Sequence, residues 1–349
     1  MKKFLSLVFV LAMVFSVAAC GGKQTYKLGM GVVVSLESSA KEAGQVDATV
    51  AAVVTDKDGK IVECRLDAVQ NKASIGTAIE VKNLKTKMEL GDDYGMAPAL
   101  NYGMDWNKDG VVKEWYDQAK AFEAFVKGKT ATEVANMPTQ VVEGKGYVIS
   151  ADADLLAAGC TIQITDFKAA VVAACNDEQG MTFEAKKFTL GVAATSFDDG
   201  STAATAEANG TLKLYSDFAA SVVADGKIIA TLNDAIQPSI TFDAEGTIVE
   251  KTFKNTKRAL KEEYGMAPAL NYGMDWNKDG VVKEWYLQSA EFSKYVVGKT
   301  AQEVLDMPTQ VVEGKGYVIS SEADLLAAGC TIQITSIKAV VAKSVNNAR

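Results

Sequence analysis

The sequence contains no histidine among its 349 residues. That absence removes Ser-His-Asp and Cys-His triads, a histidine general base, and histidine-ligated zinc, copper or haem. Its five cysteines form no CxxC pair, so cysteine-only zinc and iron–sulfur sites lack their usual spacing. Past residue 20, no apolar run is long enough for a transmembrane helix. What remains is ordinary globular material: 48% of the residues are hydrophobic, too many for a disordered chain. Redox or group-transfer chemistry must therefore rest on carboxylates, hydroxyls, backbone groups or a borrowed cofactor. The length suggests about two domains.

The first residues read as an address. Lys2 and Lys3 precede an apolar run from Phe4 to Val17, too short to span a bilayer and typical of a signal peptide. The run ends in Val17-Ala18-Ala19-Cys20, which resembles the lipobox of bacterial lipoproteins. By that resemblance residues 1–19 are removed, Cys20 carries lipid, and residues 20–25 are a soft tether. The alternative is a plain secretory signal with Cys20 incidental. Loss of Lys2 and Lys3 takes the net charge from −8 to −10. An acidic body is repelled by anionic lipid and by nucleic acid, so no nucleic-acid partner is expected.

The rest is a duplication. Tyr94–Val171 recurs as Tyr264–Val341 at an offset of 170, with 62 of 78 positions identical. YGMAPALNYGMDWNKDGVVKEWY and MPTQVVEGKGYVIS occur twice unchanged. Upstream, Leu28-Gly29 parallels Leu190-Gly191, and Asp67-Ala68-Val69-Gln70 parallels Asp234-Ala235-Ile236-Gln237. A period this long indicates domain duplication rather than a solenoid. The expected units are 26–179 and 180–349, with a polar break at Asn176–Gly180.

Each copy reads strands first, then helices. Val46–Thr55 and Ile61–Val69 flank Asp58-Gly59 and predict a hairpin. Leu214–Val223 and Ile228–Ile236 repeat it around Asp225-Gly226. A helix is expected near Val112–Val126, with Trp115, Ala119, Phe122 and Val126 on one face and Gly128 at its end. Thr130 and Glu133 form a capping box, repeated at Thr300 and Glu303. Ser150 or Asp152 is expected to cap Ala153–Ala158, which stops at Gly159. Thr161–Thr165 alternates like a strand, and Asp166 is expected to cap a last helix. The fold class is α+β with a mostly antiparallel sheet.

Several local features invite a functional reading. Asp154-Leu155-Leu156-Ala157-Ala158-Gly159-Cys160-Thr161 and its twin Asp324–Thr331 place a hydroxyl just past a glycine at a helix end. Read from the residues alone, a helix, a glycine cap and the start of a strand is the favoured reading. Tyr94, Met96, Trp106, Trp115 and Tyr116 are candidates to border a ring; for Trp115, core packing is the competing explanation. Asp105–Gly110 begins like a calcium loop but has Tyr116 where a bidentate Glu is required, so a polar turn is favoured. Gly144-Lys145-Gly146 reads as a hairpin turn rather than a phosphate loop. Cys160 and Cys330 read as small buried residues near the site. Cys64 and Cys175 have no cysteine counterpart in the second copy, which raises the question of one disulfide.

Taken together these pieces resemble the FMN-binding domain of Gram-positive surface lipoproteins used in extracellular electron transfer. The resemblance rests on ELGDDYGM at Glu89–Met96, KEWYDQAKAFEAFVKGKT at Lys113–Thr130, the hairpin at Val46–Gln70 and the Gly-Cys-Thr segment. It covers most of each repeat. In that family a separate flavin transferase joins FMN through its phosphate to a threonine that ends a short motif. Gly159 and Thr161 match that motif, as do Gly329 and Thr331; Ala158 and Cys160 stand where the motif has a hydroxyl residue and an alanine. The resemblance implies two covalent FMN groups at Thr161 and Thr331, with Gly159, Gly329, Cys160, Cys330, Tyr94, Met96, Tyr264 and Met266 lining the sites. It implies a lipid-anchored electron carrier rather than an enzyme with its own substrate. The donor would be membrane quinol-linked and the acceptor extracellular, such as ferric iron or free flavin. A non-redox surface binding lipoprotein and a calcium-dependent structural module are the competing readings.

Overall fold

The computed structural model describes residues 22–96, 112–144, 146–266, 282–314 and 316–349. Cys20, Trp106, Lys145 and the loops Asp105–Gly110 and Asp275–Gly280 lie outside them, so the expectations for those residues have no structural counterpart below.

The expected hairpin is present and longer than its sequence signal. Strands β1 (Gln24–Ser35), β2 (Ala43–Thr55), β3 (Ile61–Ser74) and β4 (Glu80–Asn83) form a meander. Further along, β5 (Thr139–Val141) pairs with β6 (Val148–Ser150) around the Gly144–Gly146 turn. β7 (Met181–Ala185) follows the polar break and returns to pair with β1, Tyr26 opposite Phe183. The first sheet, in the order β4-β3-β2-β1-β7, thus contains a strand from each side of the break.

The second copy supplies β8 (Thr189–Asp198), β9 (Gly210–Leu212), β10 (Leu214–Ala224), β11 (Lys227–Ile236), β12 (Ser239–Phe242) and β13 (Ile248–Thr252). A sheet β11-β10-β8 mirrors β3-β2-β1, and a small sheet β13-β12-β9 sits beside it. The pair β14 (Thr309–Val311) and β15 (Val318–Ser320) repeats β5 and β6. All these pairings are antiparallel, as expected of the α+β class.

The two main sheets pack face to face. On β2 the even positions Val46, Ala48, Val50, Ala52 and Val54 enter one core with Leu190, Val192, Phe218, Ala220 and Val222 of the other copy. Neighbouring positions Ala51 and Val53 point the other way, toward Trp115, Phe122, Phe167 and Val171 on two helices. A strand buried on both faces reads as a nearly unbroken apolar run, which is why Val46–Thr55 alternates only in part. The second copy has its own outer cluster of Ala193, Ala219, Ile228 and Ala235 against Trp285, Phe292, Ile337 and Val341. The result is a four-layer arrangement: helices, sheet, sheet, helices.

Glycine sets the spacing of the outer layers. A Cβ on Gly29 would fall 1.9 Å from the Ala174 carbonyl oxygen, and one on Gly191 1.9 Å from that of Ser344. The repeated Leu-Gly pair therefore marks the place where the helices Thr165–Cys175 and Thr335–Asn346 lie directly on β1 and β8.

Some expectations need correction. Thr161–Thr165 is not a strand: residues 161–164 are irregular, Thr165 opens the next helix, and among the described residues the one bond to a strand is the Ile164 N–H to the Val148 carbonyl of β6. Ile162 and Ile164 alternate because both bury into the helix-side core. Asp166 is not the cap of the following helix; Ile164 holds that position without a side-chain bond, and Asp166 lies in the first turn. Asp152, not Ser150, caps Ala153–Ala157 by accepting from the backbone of Asp154 and Leu155. The Val112 helix begins at Trp115. Both capping boxes form as expected. Cys64 and Cys175 are free thiols.

Ion pairs tie the copies together. Arg258, buried, meets Asp177 at 3.1 Å, and Asp177 also accepts the Met30 backbone N–H. Lys343 reaches Glu89 at 2.7 Å, and Arg349 reaches the buried Glu123 at 2.7 Å. Among the described residues no helix is long and apolar enough to cross a membrane.

Candidate functional site

The threonine segments are held by a buried glutamine. Gln118, on the inner face of the Trp115–Val126 helix, accepts the backbone N–H of Thr161 at 2.8 Å and of Ile162 at 3.0 Å. The Thr161 hydroxyl lies 3.4 Å from the same oxygen. The Gln118 amide donates to the Lys113 carbonyl at 2.8 Å and contacts the Met96 sulfur at 3.2 Å. Gln288 repeats this with Thr331 (2.7 Å), the Lys283 carbonyl (2.6 Å) and Met266 (3.3 Å). Two N–H groups of irregular backbone are thus satisfied by one side chain.

The turn before each threonine is packed rather than open. Gly159 has φ +88°, a left-handed conformation that suits glycine at a helix end. A Cβ there would also lie 2.7 Å from the Lys113 side chain, whose ammonium donates to the Ala158 carbonyl at 2.8 Å. Lys283 and Gly329 repeat the arrangement. The glycine in each turn is thus required by its positive φ and by this lysine side chain packed against it. Cys160 and Cys330 are fully buried, and burial pushes each thiol up to about 12.

Over the aromatic pair of each copy lies a lysine that carries no motif in the sequence. Lys87 opens the short helix Lys87–Leu90, capped by Thr86. Its ammonium sits 4.9 Å from the Tyr94 ring centre and 5.5 Å from that of Trp115. Lys257 takes the same position, 5.2 Å from Tyr264 and 5.3 Å from Trp285. A buried aspartate anchors each short helix. Asp67 accepts from Ala68 (2.8 Å) and Met88 (3.3 Å), and Asp234 from Ala235 (2.8 Å) and Arg258 (2.9 Å). Burial raises the Asp67 carboxyl to about 7 and raises Asp234 as well. Thr86, Lys87 and Leu90 recur at the same offset of 170 while the residues between them change; that pattern was the available signal.

The second copy carries a half-open cavity of about 590 Å3. Its wall includes Thr331, Tyr264, Met266, Trp285, Lys257 and Asp217. Three of the residues expected at the second site therefore line one space. Trp285 both packs in the core and lines the cavity, so the choice between those roles for its twin Trp115 is not exclusive. Tyr94 and Tyr264 are half-buried at the end of a short 3-10 turn. Met96 and Met266 are buried, and each is fixed by its backbone N–H donating to a buried glutamate, Glu114 or Glu284, at 3.0 Å.

No family model, curated protein or solved structure matches the chain. The site must therefore be read from its own chemistry. Among the described residues no cluster of three or more cysteine, aspartate or glutamate side chains is arranged to hold a metal ion. The cavity offers aromatic faces, a cation, a buried carboxylate and a hydroxyl-bearing residue in one enclosure.

Proposed function

We propose that the protein is a lipid-anchored surface flavoprotein. It carries electrons through two FMN groups, attached through phosphate at Thr161 and Thr331, from a membrane quinol-linked donor to an extracellular acceptor such as ferric iron or free flavin. The supporting observation is the second-copy cavity, where Thr331 shares a wall with Tyr264, Met266, Trp285 and Lys257. Its volume lies in the usual range for cofactor pockets, about 300–1,000 Å3. Aromatic and thioether surfaces suit a flat ring, and Lys257 and Asp217 suit its polar edge, so the residues present fit the group. Flavin supplies the redox chemistry that this side-chain inventory lacks.

The chain's own residues would position and shield. Gln288 fixes the backbone at Thr331, Lys257 places a positive charge beside the ring, and Trp285 excludes water from one side. The first copy has the same set in Gln118, Lys87, Trp115, Tyr94, Met96 and Thr161, joined by equivalent bonds. The anchor at Cys20 rests on the sequence signal alone, and the acidic charge supports a body held off the membrane surface.

Coexpression with a flavin transferase tests this. Intact mass should rise by two FMN units, by one in Thr161→Ala or Thr331→Ala, and by none in the double variant. Colourless protein of unmodified mass beside an active transferase would exclude the attachment.

A further inference from the structure

Asp217 stands out in the second cavity. It lies on β10 at 6% exposure, lines the cavity, and its Oδ2 has no hydrogen-bond partner among the described residues. A buried carboxylate oxygen left unpaired is costly, and such atoms are uncommon in native proteins. The side chains facing the group are Ser336 from the Thr335–Asn346 helix, Lys257 from the short helix after β13, Asp234 from β11 and Asp199 from the loop after β8. Ser336 and Lys257 stabilise its charge, while burial and the two aspartates oppose it, with burial the stronger influence. Lys257, itself half-buried, is the cation that Asp217 faces, and Ile332, Ile337 and Ala235 also line the cavity.

We propose that Asp217 is a ligand-reading residue: its carboxylate, which lines the cavity and satisfies only one of its oxygens within the protein, turns to accept a hydrogen bond from the ring N–H of a cyclic imide seated there. This rests on the flavin reading, since the pyrimidine edge of a flavin is such an imide, one N–H between two carbonyls. A single acceptor matches the N–H, and Lys257 on the same wall supplies a donor for a carbonyl.

The first copy lacks this acid. Leu28 pairs with Val54 and Leu190 with Val222, and Asp67 pairs with Val50 as Asp234 does with Phe218. Both registers place Thr49 where the second copy has Asp217. Ser336 corresponds to Asp166, whose carboxyl feels Asp47 and Lys87, so the acid near the lysine of the first copy stands on the helix rather than at the Asp217 position of the strand. The two sites thus share the lysine and the aromatic pair and differ in the edge reader.

The test compares riboflavin with N3-methylriboflavin, which lacks the N–H and carries a methyl in its place. Full chain made without a flavin transferase is titrated with each while flavin fluorescence is followed. The methylated ring should bind about tenfold or more weakly at one of two sites, the loss expected for a charge-assisted hydrogen bond. Asp217→Ala should remove that discrimination and Thr49→Ala should leave it. The comparison on unmutated protein stands even if Asp217→Ala fails to fold.

Equal binding of the two rings at both sites would overturn the role of Asp217 and leave the flavin reading intact. So would covalent flavin at Thr331 combined with no binding of free riboflavin at the second site. Absence of flavin in every form, free or attached, would overturn both.

Discussion

Gln118 holds Thr161 by its backbone: one amide oxygen accepts the Thr161 N–H at 2.8 Å and the next N–H, of Ile162, at 3.0 Å. The threonine is therefore positioned by a residue 43 positions away on a helix, not by its own loop. Gln118→Leu would leave two buried donors without this acceptor. The expected cost is about 1–3 kcal/mol for each orphaned group, less any relaxation. Urea denaturation of the variant measures it. If Thr161 is an attachment site, the same variant should lose flavin there and keep it at Thr331.

Asp67 makes stability depend on pH in an unusual direction. Its carboxyl is raised to about 7 by burial, so between its unfolded value and about 7 the folded state holds the extra proton. The stabilisation is full below the unfolded value, near 4, and is lost as pH rises through about 7. Asp67→Asn keeps an oxygen to accept from Ala68 and Met88 but cannot ionise. Urea midpoints at pH 4.5 and pH 8 should differ less in the variant than in the parent, the parent being the more weakened at pH 8.

Gly191 admits no side chain. The added carbon of Gly191→Ala would meet the Ser344 carbonyl oxygen at 1.9 Å, and both partners are backbone. The helix must move off β8, and overpacking of this kind costs about 1–3 kcal/mol. Thermal or urea unfolding should show the loss, whereas Gly22→Ala, which meets nothing, should leave stability unchanged.

The cysteines give a chemical count. Cys64, Cys160 and Cys330 are buried, and burial raises all three thiols. Cys175 is partly exposed and raised to about 11. Iodoacetamide at pH 8 should label Cys175 first and slowly. Unfolding without reductant should then expose the three buried thiols, four in all besides Cys20; a total of only two would mean that Cys64 and Cys175 are bonded.

Much of this architecture was legible locally. Asp58-Gly59 located the hairpin, Thr130 with Glu133 located a helix start, and the spacing of Trp115, Ala119, Phe122 and Val126 gave the buried face. Local pattern failed where long-range contact decides. Ile162 and Ile164 carry a strand-like period, yet the Thr161 and Ile162 N–H groups go to Gln118, and only the Ile164 N–H reaches a strand, at the Val148 carbonyl. The return of Met181–Ala185 to β1 leaves no trace in either segment. At the site, Thr161, Tyr264 and Met266 were singled out in advance, but Gln118 was hidden inside a block in which nearly everything repeats. Asp217 was hidden for the opposite reason, because its position carries a different residue in the two copies.

The face-to-face packing of the two sheets has a further consequence. Equivalent positions of the two copies, Leu28 with Leu190 and Val54 with Val222, share one core, as the same patch does on both sides of an isologous dimer, here written into a single chain. Each half leaves on its own an apolar sheet face that only the other half covers. A cut at Asp177–Gly180 should therefore yield fragments that reassociate as a complex rather than two free modules. The same geometry would hold two loaded sites at a fixed separation, independent of the tether that carries them.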